Sequence, residues 1–458
     1  MVKPNFIGII SFLFIIFTFF LLFYIFYKSE IFHNGTLRGY YLKYYIISIS
    51  LFFLSILFLF LRKDLKINIS IILVSIVISL YLIESFFTIN RIGGNWRDGT
   101  NERIKASKKL NKKFDSRSKY QFYQDFKKKF PNAVLFAGSN NLKVDNKIIR
   151  NFGGASLRQT VLCNENGYFA TYKSDRYGFN NPDQEWEKKE IEYLVIGDSF
   201  VQGYCVYEKD TISGNLRNKT KNINGVINLG IAGTGPLSQH AILKEYTELI
   251  NTKRIIWVYC DRNDLKDFYR EKNIKILMNY FNKKEYTQNL IQKQSKIDEI
   301  IINSLSKKKE IYQFRFLKLY NLRIFLFGRL KNKFVNFINE KPLQPPSNEF
   351  ESLFKKVKEL SESRGAKLYF VYLPSYEDFI DNKNGKKNLN KKTKNYKKIL
   401  KIIADQNIPI IDLHADFFEK QSDPSIFFPF ELPGHLTENG YNQISRVIFN
   451  SIKKFENK

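Results

Sequence analysis

The sequence predicts an α/β protein behind three N-terminal transmembrane helices, with a parallel sheet between helices and a helical insertion. Three observations predict this class. Residues 1–90 contain three apolar stretches long enough to cross a bilayer. Beyond residue 191, short apolar runs alternate with segments of helical pattern, which is typical of a parallel sheet with helices on both faces. The turns after several of these runs carry glycine and polar side chains, as the ligand-binding edge of such a sheet does.

The three apolar stretches are residues 6–27, 44–61 and 67–89. We therefore predict a three-helix membrane anchor over residues 1–90 and a multi-pass protein of the cell membrane. Basic residues follow both the second and the third stretch, so the flanking charges do not decide the orientation. We expect the remainder of the chain outside the cytoplasm, because of a cysteine pair and a family resemblance that are described below.

The net charge of +29 comes from 73 Lys and Arg against 44 Asp and Glu, with the lysines spread along the whole chain. No nucleic-acid-binding module accompanies this charge, so we expect no nucleic-acid partner. The three cysteines form no CxxC motif or Cys/His cluster, which predicts that there is no metal site. Cys163 and Cys205 could form a disulfide in an exported domain, or all three cysteines could be buried thiols. The sequence leaves both alternatives open.

Beyond the anchor, residues 91–190 are expected to form a connector and a small β-hairpin element, and residues 191–458 the α/β domain. The connector is basic and polar, and glycine turn signals separate short β-like runs after residue 151. The buried strands of the domain are predicted at 193–196, 226–229, 254–259, 368–373 and 409–412. The helices are predicted at 238–250, 348–363, 392–405 and 437–455. The long interval at about 265–347 predicts the helical insertion.

A serine stands at the end of the first predicted strand, in the turn Gly197-Asp198-Ser199. A tight turn there could expose the Ser199 hydroxyl and point the following backbone N–H groups at one position, as an activated nucleophile requires. Alternatively, Ser199 could be the N-cap of an ordinary strand-to-helix turn.

Three further turns carry residues suited to the same chemistry. Gly233 lies in a glycine-rich turn after the second strand, where a backbone N–H could approach a ligand closely. Asn263 follows the third strand and offers a side-chain amide. His435 precedes the last helix, which Thr437 could cap, and an imidazole there could accept a proton from a hydroxyl. A turn former at position 263 and a surface histidine at position 435 are the ordinary structural alternatives.

The order and approximate spacing of Gly197-Asp198-Ser199, Gly233, Asn263 and His435 resemble the four blocks of the SGNH (GDSL) hydrolase family. Residues 114–119, 163–167 and 174–182 also resemble, more weakly, a membrane-anchored bacterial branch of that family. The resemblance implies an SGNH-type domain in which Ser199 is the nucleophile and His435 the general base. It further implies that the backbone N–H groups of Ser199 and Gly233, with the Asn263 side chain, form an oxyanion hole. No cofactor is implied.

The sequence departs from the family at two positions. The family often has an aspartate three residues before the histidine, where this chain has Leu432. Glu431, Asp423 or Asp412 could take its place, or a backbone carbonyl could orient His435, and we expect a Ser–His dyad in which no single acid matters as much as the histidine. The family glycine before the oxyanion asparagine is Arg262 here, which would narrow the site or bind an anionic group.

These features together predict a membrane-anchored serine esterase or acyltransferase acting on acyl esters, acetyl esters among them, of an envelope glycan or lipid. The expected partners are that acylated substrate and proteins of an envelope pathway. The alternative is a non-catalytic envelope assembly or carbohydrate-binding protein on a degenerate SGNH scaffold. Leu432 favours this alternative, and the joint presence of Ser199, Gly233, Asn263 and His435 disfavours it.

Overall fold

A computed structural model describes residues 4–32, 35, 38–92, 99–220, 224–248, 250–261, 263–313, 315–326, 344–379 and 395–457. The chain divides into two compact units, Met1–Asn90 and Arg91–Lys458. The finer division of the second unit at residue 190 stays a prediction.

The first unit consists of three long apolar helices. They are α1 (Pro4–Phe26), which continues as a π-helical turn over Tyr27–Phe32, α2 (Arg38–Leu57), which ends in a 3₁₀ turn over Phe58–Phe60, and α3 (Lys63–Ile89). Each is long and apolar enough to cross a membrane. Thr18 of α1 and Ser55 of α2 share a buried hydrogen bond of 2.9 Å. Small polar residues commonly join helices inside a bilayer in this way. These helices are compatible with the predicted membrane anchor.

Ten strands lie in the described residues of the second unit, five of them in a parallel sheet with the order β10-β9-β8-β6-β7. The strands are β1 (Val134–Leu135), β2 (Asn140–Val144), β3 (Lys147–Asn151), β4 (Gln159–Cys163), β5 (Ala170–Lys173), β6 (Ile191–Ile196), β7 (Gly225–Asn228), β8 (Arg254–Cys260), β9 (Lys367–Leu373) and β10 (Ile410–Asp412). The five strands of the parallel sheet are the five that the apolar runs predicted. The predicted α/β class is therefore confirmed.

Both faces of the parallel sheet are covered by helices, so its strands are apolar on both sides. In β6, Leu194 and Ile196 pack into one core, and Tyr193 and Val195 pack into the other. The described helices of this unit are α4 (Thr100–Lys109), α5 (Lys119–Lys129), α6 (Ser199–Gln202), α7 (Ile212–Lys219), α8 (Pro236–Tyr246), α9 (Asp264–Glu271), α10 (Lys275–Asn282), α11 (Gln294–Gln313), α12 (Asn348–Ser363), α13 (Tyr396–Ala404), α14 (Leu413–Asp416) and α15 (Glu438–Glu456). Helices α8, α12 and α13 contribute to the first core, and α7 and α15 to the second. This three-layer packing brings the carboxyl ends of the parallel strands to one edge.

Two small sheets precede the parallel sheet. Strands β1, β4 and β5 form one, with β1 parallel to β4 and β4 antiparallel to β5, and β2 and β3 form a separate hairpin. Helix α11 packs beside these elements, because Asp298 accepts hydrogen bonds from the Ser156 backbone and hydroxyl. The segment between β4 and β5 reaches the carboxyl edge of the parallel sheet, where it contributes to the site described next.

Candidate active site

Ser199 is the first residue of the short helix α6, directly after the turn that ends β6. The turn needs glycine at 197, because a Cβ there would lie 2.5 Å from Val201 Cγ2 and 2.9 Å from the Val258 carbonyl oxygen. Asp198 is the N-cap of α6, and its Oδ1 accepts a hydrogen bond of 2.9 Å from the backbone N–H of Phe200. The alternative in which Ser199 caps the helix is therefore wrong. Its hydroxyl is available for a different partner.

That partner is His435, whose Nε2 lies 2.8 Å from Ser199 Oγ. His435 stands three residues before α15, and the predicted cap is present, since the Thr437 side chain accepts from the backbone N–H of Gly440. The rings of Phe200 and Tyr204 flank the imidazole at centroid distances of 4.6 and 4.8 Å. A nitrogen at this distance from a hydroxyl can accept its proton during attack.

The other side of the imidazole meets a carboxylate that the sequence analysis did not select. Glu165 Oε1 and Oε2 lie 3.2 and 3.1 Å from His435 Nδ1, and Oε2 also accepts a hydrogen bond of 2.7 Å from the His435 backbone N–H. Glu165 comes from the segment between β4 and β5 and is fully buried. The expectation of a Ser–His dyad is thus wrong for this geometry, because Ser199, His435 and Glu165 are arranged as a triad.

The acids considered from the sequence lie in other local structures. Asp412 caps α14 and accepts from the backbone N–H of His414, while Asp423 accepts from the backbone N–H of Ser425 at 3.0 Å. Glu431 has an exposed side chain, and its carbonyl oxygen accepts from the Tyr376 hydroxyl at 2.8 Å. Glu165, which was not among these three acids, is the carboxylate that contacts the His435 ring.

A disulfide between Cys163 and Cys205 fastens the glutamate segment to the chain that follows α6. Asn166 adds to this connection, since its side chain donates to the Cys205 carbonyl oxygen at 3.1 Å. Cys260 is buried and is not part of this disulfide. The sequence left open whether these cysteines form a disulfide or remain buried thiols, and the structure contains the disulfide. Pairing these cysteines was the one sequence signal that could have placed Glu165 near Ser199.

The two other predicted site residues also lie at this edge of the sheet. Asn263 donates from Nδ2 to Asp198 Oδ2 at 2.8 Å, which connects it to the serine turn. Gly233 has a φ of +82°, in the left-handed region that favours glycine, and its carbonyl oxygen accepts from Arg270 at 3.3 Å. The structure thus gathers all four predicted residues, and their catalytic roles remain predictions. Arg262 lies outside the described residues.

The buried Asp198 carboxyl sits beneath the serine turn. Burial raises its pKa above the ordinary value, and hydrogen bonds from Asn263 and from the Phe200 backbone oppose that shift. The charge of His435 opposes it as well. Asp198 therefore organises the turn through hydrogen bonds.

The remaining histidines of the second unit belong to the packing. His414 is buried, with Nδ1 3.1 Å from Glu419 Oε1 and its ring 5.1 Å from that of Phe379. Burial lowers the pKa of His240 in α8 to about 3, and nearby lysine charges act in the same direction. Within the described residues, no group of three or more His, Cys, Asp and Glu side chains could hold a metal ion.

No family model matches the chain, and no curated protein sequence is significantly similar to it. Solved structures that resemble it include a protein of Desulfitobacterium hafniense DCB-2 described as a lipolytic protein of the G-D-S-L family. The two are 12% identical, with a TM-score of 0.31 over 57% of this chain and 99% of that one. A two-domain esterase active on acetylated mannans is also 12% identical, with a TM-score of 0.32 over 60% of this chain and 52% of the esterase. At this level of similarity neither structure assigns the chain a family, an activity or a substrate.

Proposed function

We propose that the protein is a serine hydrolase or acyltransferase that acts on acyl esters through Ser199. The observation that carries the proposal is the hydrogen-bonded series from Ser199 Oγ to His435 Nε2, and from His435 Nδ1 to the buried carboxylate of Glu165. A serine hydroxyl is a weak nucleophile until a base accepts its proton, and the base works best when a third group orients it. The series supplies both.

The reaction begins when Ser199 Oγ attacks the acyl carbon and passes its proton to His435 Nε2. Glu165 stabilises the imidazolium that forms and holds the proton on Nδ1 in the required tautomer. The negative charge of the tetrahedral intermediate falls to the backbone N–H groups of Ser199 and Gly233 and the Asn263 amide. His435 then protonates the departing alcohol, leaving an acyl ester on Ser199. Water releases the acyl group in hydrolysis, and an acceptor hydroxyl takes it in transfer.

We assign the substrate to the acylated glycans or lipids of a cell envelope, with the second unit outside the cytoplasm. The three apolar helices support a membrane location, and a structural disulfide is typical of oxidising compartments outside the cytosol. A fixed membrane location suits a substrate that is itself held in the envelope. Other proteins of an envelope pathway would supply the acyl donor or receive the product.

The non-catalytic alternative depended on the leucine at position 432. Glu165 provides the carboxylate that an aspartate there would have provided, so the observation that favoured a degenerate scaffold no longer favours it. The catalytic proposal is therefore preferred.

The proposal is tested by p-nitrophenyl acetate hydrolysis with the full-length protein in detergent. Ser199→Ala should abolish hydrolysis, because it removes the hydroxyl that His435 contacts, while the melting temperature should be nearly unchanged. Ser363→Ala, at an exposed position of α12, is the matched control and should be fully active. Equal hydrolysis by the wild type and Ser199→Ala would refute the proposal.

A further inference from the structure

The turn before His435 packs against a buried arginine that the chemistry above does not use. Arg103 lies on α4 and is 5% exposed. Its Nη2 donates a hydrogen bond of 2.6 Å to the carbonyl oxygen of Pro433, two residues before the histidine. This arginine, near the start of the second unit, therefore holds the turn that presents the general base. The two partners of the hydrogen bond are 330 positions apart in the sequence.

The same guanidinium lies beside the carboxylate of Glu165. A Cβ on Gly434 would lie 3.0 Å from Arg103 Nη2 and 2.9 Å from Glu165 Oε2, so both atoms adjoin one point of the turn. A side chain at position 434 would therefore have to displace the end of one of these two side chains. Arg103 and Glu165, which carry opposite charges, thus both lie against the Pro433-Gly434 turn.

A buried carboxylate loses hydration, and a nearby positive charge favours its ionised form. Glu165 is fully buried, yet it must be ionised to stabilise the imidazolium of His435. Two other titratable groups interact with His435 or Glu165: the buried Asp198, on which the charge of His435 acts, and the buried Tyr441 of α15, on which the charge of Glu165 acts. Neither supplies a positive charge. Burial and the negative charge of Glu165 both raise the pKa of Tyr441 well above its ordinary value.

We propose that Arg103 is a positioning residue that fixes the Pro433-Gly434 turn and keeps Glu165 ionised, and so sets the lowest pH at which Ser199 is reactive. The inference rests on the proposed function. The acidic limb of the pH–rate profile follows the loss of the ionised carboxylate on which the histidine depends. Without the positive charge of Arg103, Glu165 takes up its proton at a higher pH, so the acidic limb of the pH–rate profile moves to higher pH.

The test measures the second-order rate constant for labelling of the full-length protein by a fluorophosphonate probe, between pH 4.5 and 9. Arg103→Gln should move the acidic limb upward by about one pH unit, the size expected from a charge within several ångströms. Arg103→Lys keeps the charge and should leave the limb in place, with a lower rate at every pH because the hydrogen bond to Pro433 is altered. Arg364→Gln, which removes an arginine paired with Glu248 at 3.1 Å, is the control and should match the wild type.

A purely structural role would lower the rate of Arg103→Gln equally at every pH, and that result, or no change at all, would overturn the inference. If Arg103→Gln does not fold, Arg103→Lys decides, because an upward shift of its limb contradicts a role for the charge. A wild-type protein that is not labelled at Ser199 would remove the proposed function and this inference together. A labelled wild type with an unmoved limb in Arg103→Gln would remove the inference alone.

Discussion

Replacing Glu165 by glutamine should nearly abolish activity while leaving the fold intact. The carboxylate lies 3.1 Å from His435 Nδ1. At an effective dielectric constant of about 20, an opposite charge at that distance stabilises an imidazolium by about 5 kcal/mol. That energy corresponds to a rate change of about 10⁴-fold, which is also the loss seen when the aspartate of a serine-protease triad becomes an amide. Since glutamine keeps an acceptor oxygen for the His435 backbone N–H, we expect a loss of kcat of about 10³- to 10⁴-fold.

The assay is p-nitrophenyl acetate hydrolysis, with the melting temperature recorded for each variant. Glu431→Gln is the matched control, because this exposed glutamate is the nearest acid to His435 in sequence. It should retain activity within about 10-fold of the wild type. A folded Glu165→Gln variant that loses less than about 10-fold would show that the carboxylate does not act on the histidine, and would restore the dyad.

Three further outcomes are expected. Replacing both Cys163 and Cys205 by serine should lower the free energy of unfolding by roughly 2–4 kcal/mol. It should also reduce kcat, because the disulfide holds the Glu165 segment in place. A double variant with the stability and activity of the wild type would contradict this prediction. His240 has a pKa of about 3, below its unfolded value of 6.5, so the unfolded chain binds a proton that the folded chain does not. Between pH 6.5 and 5 the protein should therefore lose about 2 kcal/mol of stability, and His240→Gln should lack that part of the slope in denaturant titrations. A C-terminal alkaline phosphatase fusion should be active and a GFP fusion dark, and the reverse would place the second unit in the cytoplasm.

The sheet could be predicted because each strand carries its own signal. A strand buried on both faces is apolar at successive positions, and Tyr193–Ile196 of β6 and Ile255–Tyr259 of β8 show this pattern in isolation. Ser199 could be selected because it stands at the end of such a strand, and His435 because it precedes the last helix, in an order and spacing that resemble a known family.

The third member of the site could not be selected because it depends on tertiary structure. Glu165 is 270 positions from His435 and lies in a short connection with no periodic pattern. The sequence of a loop does not distinguish a carboxylate that will be buried from one that will face solvent. The Cys163–Cys205 bond ties that loop covalently to the chain after the serine turn, and whether two cysteines pair cannot be read from the sequence alone. Arg103 was also missed, because its position beside the site likewise depends on tertiary structure.

The central claim, that Ser199 is a nucleophile activated by His435, is tested most directly by peptide mass spectrometry after fluorophosphonate treatment of the full-length protein. The account predicts one stoichiometric adduct, on the peptide that contains Ser199, and its loss in His435→Ala. No adduct in folded wild-type protein, an adduct on another residue, or equally fast labelling of Ser199 in His435→Ala would contradict it.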